Sequence, residues 1–270
     1  MKLDSDKFYM MPLIMGPIGD RKEGMQSFFG KVHILGFQYL TDVESIAPLL
    51  PDCYTVAQEP LVGVMFSYYD QVSFMAGQGY NVATVRVAAR FDGEKDHVDG
   101  DYYLILLEDH GLPIVTGREL SGIPKMYGDI TPIETLSNGN MRCKTSFLGN
   151  TIFGLEVGPV KEQNKAARAA AEKMMNEHPM LGYKYIPSYE GPPDVSYPLT
   201  LRYEMKIDKL WFGNTGSVFF GKLEGILGTV ANPVKNVIDA LKSLAVDEVK
   251  QTIQLQGSMV LRNDLSQRLV

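Results

Sequence analysis

Leu112-Pro113-Ile114-Val115-Thr116-Gly117-Arg118-Glu119-Leu120-Ser121-Gly122-Ile123-Pro124-Lys125-Met126 sets one lysine directly after a proline and between two apolar residues. A lysine in apolar surroundings loses solvation of its charged form, which favours the neutral amine that can attack a carbonyl. The same side chain can instead lay its methylenes along apolar surface and carry its ammonium out to water. From the residues alone both readings stand. Just upstream, residues 102–107 form a continuous apolar run too short for a globular helix, and Gly100-Asp101 before it supplies turn chemistry. That pattern predicts a strand buried on both faces.

Further out, residues 61–69 and 81–91 are rich in Val, Tyr and Phe. The second stretch alternates, with Ala83, Val85, Val87 and Ala89 on one face and Thr84, Arg86 and Ala88 on the other, so both are predicted strands. Thr41-Asp42-Val43-Glu44 has capping-box spacing with Thr41 as N-cap, and Pro48 and Pro51 limit the helix to about 42–47. Strong helix formers over 161–178, stopped by Pro179, predict the longest helix. Asn232-Pro233 offers an N-cap and first-turn proline for another helix through Leu244. Ile253, Leu255, Met259 and Leu261 alternate with Gln254, Gln256 and Ser258 in a closing strand interrupted near Gly257. The expected class is α+β and β-rich, a single domain spanning 1–270 with no internal repeat.

A net charge of -6 with no Lys/Arg block argues against a nucleic-acid partner. No apolar run is long enough to imply a membrane partner. Residues 10–17 are apolar but broken by Pro12 and Pro17 and preceded by Asp4 and Asp6, unlike a secretory leader, so a cytoplasmic protein is expected. Cys53 and Cys143 are isolated, and His33, His97, His110 and His178 are scattered without ligand spacing, so no metal is expected. Gly77-Gln78-Gly79 lacks the third glycine of a dinucleotide loop and reads as a turn. No Gly-x-Ser-x-Gly elbow is present.

Gly117-Arg118-Glu119-Leu120-Ser121-Gly122-Ile123-Pro124-Lys125 resembles the Gly-Arg-Glu-Leu-Ser-x-x-Pro-Lys-Lys signature of the acetoacetate decarboxylase superfamily. Lys184-Tyr185-Ile186-Pro187-Ser188-Tyr189-Glu190-Gly191-Pro192-Pro193, Trp211-Phe212-Gly213, Glu59-Pro60-Leu61-Val62 and Gly100-Asp101-Tyr102 also follow family order. The resemblance implies a cone- or barrel-like sheet around an apolar pocket, a homo-oligomer, and lyase chemistry without a cofactor. Lys125 would form an iminium with an oxo-acid, either a β-keto acid that is decarboxylated or pyruvate in aldolase-dehydratase or hydratase chemistry. Arg118, Glu119, Ile123, Met126 and Tyr80 are the accompanying pocket candidates. Met126 replaces the family's second lysine, and Met65, Gln78 and Val32 fall where two pocket glutamates and an arginine are expected. Those replacements imply a pocket short of carboxylates and suited to a larger or different carbonyl compound. A non-catalytic protein that holds a hydrophobic ligand is the contrasting expectation.

Overall fold

A computed structural model of the chain describes residues 2–222 and 233–270. Its frame is a run of long strands: β1 (Gln26–Leu40), β2 (Leu61–Val72), β3 (Tyr80–Asp92) and β4 (His97–Glu108). Each pairs antiparallel with the next. Between β1 and β2 lies the short helix α1 (Val43–Ile46). Its N-cap is Asp42, which accepts a hydrogen bond from the Ser45 amide at 2.6 Å, one residue later than the spacing suggested. Thr41 is buried instead, and its hydroxyl makes no hydrogen bond.

After β4 the chain forms α2 (Gly111–Glu119) and returns as β5 (Lys125–Tyr127), which pairs parallel with the end of β4. Gly111, Pro113 and Gly117 mask the pattern of this helix in the sequence. Strands β6 (Met141–Phe147) and β7 (Asn150–Val157) start a second, smaller sheet. The long helix α3 (Lys165–Glu177) follows. It begins later than residue 161 because Lys161–Glu162 are taken up as a short strand, and Asn164 accepts from the Ala167 amide to cap it.

The chain continues through β8 (Met180–Ile186), β9 (Val195–Leu201), β10 (Tyr203–Gly213) and β11 (Gly216–Phe220). Helix α4 (Pro233–Lys242) and β12 (Glu248–Arg262) complete the major elements. The expected N-cap Asn232 lies outside the described residues. In the large sheet, β12 bridges β10 and β1, while β8 and β9 extend it beyond the first half of β4. The register of β12 on β1 slips at Gly257, where a Cβ would lie 2.0 Å from the Lys206 carbonyl oxygen. A glycine is therefore required at the interruption.

One face of the large sheet packs Phe37, Val64, Val85 and Leu107 against Phe153 and Leu155 of the small sheet. The rings of Phe66 and Phe153 meet edge to face at 5.7 Å. The other face curls on itself, so that Phe29, Tyr80 and Leu106 share a core with Leu201, Met205 and Ile207. The end strands Lys161–Glu162 and Gln267–Arg268 do not pair with each other, so the cone-like sheet is open rather than a closed barrel. Helix α3 closes one side. Its Glu172 accepts from the Ile207 amide, and Asn176 exchanges hydrogen bonds with the Met205 backbone.

Candidate active site

The site begins with the phase of β4. Strand side chains alternate between faces, so Tyr103, Ile105 and Leu107 would ordinarily share one. In the ladder with β3, Val85 faces Ile105 and Arg86 faces Tyr103, leaving Leu104 as an extra residue. The bulge puts Leu104, Ile105 and Leu107 against the core between the sheets and turns Tyr103, Leu106 and Glu108 to the inside of the cone.

Lys125 enters the same space from β5, where it lies in register with Leu106. Its Nζ lies 2.8 Å from Glu108 Oε1 and donates to the Pro113 carbonyl oxygen at 3.0 Å. Both members of the pair are buried, Lys125 at 7% and Glu108 at 1% exposure. Burial pushes the Glu108 carboxyl above the ordinary carboxylate range, against the opposing pull of the Lys125 charge. Glu108 Oε2 is buried with no hydrogen-bond partner, an arrangement costly enough to suggest use.

The surrounding motif holds this lysine. Gly117 on α2 clears its path, since a Cβ there would lie 2.4 Å from Lys125 Cε. Arg118 donates from Nη1 to the Lys125 carbonyl oxygen at 2.9 Å, so it clamps the backbone from outside the cavity. Ser121 donates to Asn263 Oδ1, and Gly122 takes a φ of +65° where a Cβ would strike Lys184.

The cavity that holds the Lys125–Glu108 pair has a volume of about 80 Å³, room for several waters or a small carbonyl compound. Met65, Tyr80 and Ile123 line it with Lys125. Four other predicted site residues do not. Met126 is on the opposite face, in the core between the sheets, because successive strand residues point to opposite sides. Gln78 is exposed in the turn after β2, where its carbonyl accepts from the Val72 amide. Arg118 is spent on the backbone, and Glu119 accepts from the Met11 amide. Among the described residues that line the cavity, Glu108 from β4 is the one carboxylate.

Glu108 was detectable as an acid at the end of a buried apolar run. Tyr69, Tyr103 and Tyr203 also line the cavity, and burial pushes all three phenols up, so they stay protonated. Among the described residues no three His, Cys, Asp or Glu side chains converge on a metal-sized space. No described helix is long and apolar enough to cross a membrane.

A family model described as acetoacetate decarboxylase (ADC) matches residues 10–254. The acetoacetate decarboxylase of Clostridium acetobutylicum is 26% identical over 216 residues, covering 77% of this chain and 80% of that protein. A solved acetoacetate decarboxylase superposes with a TM-score of 0.74 over 99% of this chain and 98% of its own, at 20% identity. The enduracididine biosynthesis enzyme MppR complexed with pyruvate gives a TM-score of 0.69 over 99% of both chains, at 14% identity. The two structural likenesses concern the fold.

Proposed function

Because the chain belongs to the acetoacetate decarboxylase family, we propose that it is a lyase that forms a Schiff base between Lys125 and a small oxo-acid. The observation that supports this most is the buried contact of 2.8 Å between Lys125 Nζ and Glu108 Oε1 inside a mostly apolar cavity. The carboxylate takes the ammonium proton, and the neutral amine adds to the substrate carbonyl, forming the C–N bond. Proton transfer to the carbinol oxygen and loss of water give the iminium. Its nitrogen accepts the electron pair released when the neighbouring carbon loses carbon dioxide or, with Glu108 as base, a proton. The resulting enamine takes up a proton or attacks an aldehyde, and water then releases the product and restores the amine.

Decarboxylation is the reading we favour over aldol chemistry, because the relatives that the chain matches in sequence are acetoacetate decarboxylases. The reading extends to a cofactor-independent homo-oligomer in the cytoplasm, which the unpaired Cys53 and Cys143 suit. Borohydride reduction in the presence of acetoacetate or pyruvate, read by intact mass, is the test. A ketone-sized adduct on the wild-type chain and none on Lys125→Ala is expected. Undiminished turnover by Lys125→Ala would overturn the mechanism. Absence of any adduct together with tight binding of apolar ligands would favour a non-catalytic carrier.

A further inference from the structure

Arg86 and Asp101 form an ion pair at 2.7 Å with both side chains only 12% exposed, and the proposed chemistry gives it no task. Arg86 stands directly across the ladder from Tyr103. Its guanidinium lies beside the phenols of both Tyr103 and Tyr203, which reach the cavity from β4 and β10. Gly63 on β2 makes room for it, since a Cβ there would lie 2.9 Å from Arg86 Nε. On the solvent side, His178 Nε2 approaches Asp101 at 3.6 Å.

A guanidinium has donors only, so a phenol that faces it presents oxygen as the acceptor and keeps its single O–H for another partner. Tyr103 and Tyr203 both line the cavity, so a ligand there can accept from that O–H in competition with the Asp101 carboxylate behind it. Among the described residues that line it, Lys125 is the one cation, and Glu108 already pairs with it. A substrate carboxylate therefore finds no free cation at the amine end, where the unpartnered Glu108 oxygen would repel it.

We propose that Arg86 is a positioning residue that aims the Tyr103 and Tyr203 hydroxyls into the cavity as a two-donor cradle for the carboxylate of an oxo-acid. The substrate then lies with its carboxylate at the tyrosines and its carbonyl carbon at Lys125. This assignment rests on imine formation at Lys125.

The experiment compares borohydride trapping of pyruvate with that of acetone, which offers the same ketone without a carboxylate. Tyr103→Phe and Tyr203→Phe each remove one hydroxyl, and the Arg86→Met/Asp101→Asn double variant removes the pair without stranding a charge. Each variant should raise the pyruvate concentration for half-maximal trapping at least about tenfold, the effect of one charge-assisted hydrogen bond, and leave that for acetone within about twofold. Equal shifts for both ketones, or no shift for pyruvate, would overturn the cradle while leaving the Schiff base standing. No adduct with either ketone on the unmodified chain would remove the Schiff base and the cradle with it.

Discussion

Gly117 and Lys125 pass so close that a methyl group on the glycine would occupy the space of the lysine's Cε, 2.4 Å away. Gly117 lies within α2 and not in the left-handed region, so its backbone accepts alanine without strain. Gly117→Ala should therefore fold, yet push the amine from Glu108 and Pro113. A displacement of about 1 Å can cost roughly a hundredfold in rate. We expect borohydride trapping to slow by about that factor with an unchanged circular dichroism spectrum, and normal trapping would show that the lysine finds another route.

Glu108→Gln removes the proton acceptor while keeping shape. Loss of a general base costs about a hundredfold or more. Because burial raises the Glu108 carboxyl, the base is lost as pH falls through that raised value, so the acid limb of the rate profile should lie above the ordinary glutamate position near ~4.3. The limb should vanish in the glutamine variant. A limb at the same pH in both proteins would assign it to another group.

Met126→Lys restores the second lysine of the family signature, yet the side chain starts on the face away from the cavity. The pH dependence of trapping should be the same as in the unmodified chain, and the rate should stay within about twofold. Stability should fall by about 1–3 kcal/mol, since a polar group enters the core between the sheets. A urea melt beside the trapping assay separates the two effects.

Burial tends to raise the Asp101 carboxyl, but Arg86 and His178 outweigh it and hold the group below the ordinary carboxylate range. Its contribution is complete above the unfolded value of about 3.9 and is lost as pH falls through the lower folded value. Asp101→Asn strands the Arg86 charge and should cost about 3–5 kcal/mol at neutral pH. Arg86→Met/Asp101→Asn should cost less. Urea unfolding of the two variants at pH 7 and below pH 3 checks both statements.

Much of this was legible before any coordinates. The alternation of Ala83, Val85, Val87 and Ala89 follows from side-chain period, and β3 keeps it. Lys125 stands out because a proline, two apolar neighbours and the motif converge on it. Glu108 is hidden because it stands just past the apolar run that ends at residue 107, and the bulge at Leu104 changes which residues share its face. Met126 misled for the opposite reason: adjacency in sequence within a strand means separation in space. Tyr203 could not be placed, because its approach to Tyr103 depends on how the sheet curls, a property of the whole and not of any local pattern.

Lys125 and Glu108 belong to one short strand–helix–strand crossover from β4 to β5, whereas Tyr203, Met205, Met259 and Leu261 come from distant parts of the chain. Under the proposed chemistry the crossover is a self-contained cassette for making an imine, and the remote strands supply its walls. Descendants of such a protein can acquire new substrates by remodelling the walls while leaving the cassette untouched, which makes β10 and β12 the segments to randomise in a directed-evolution library.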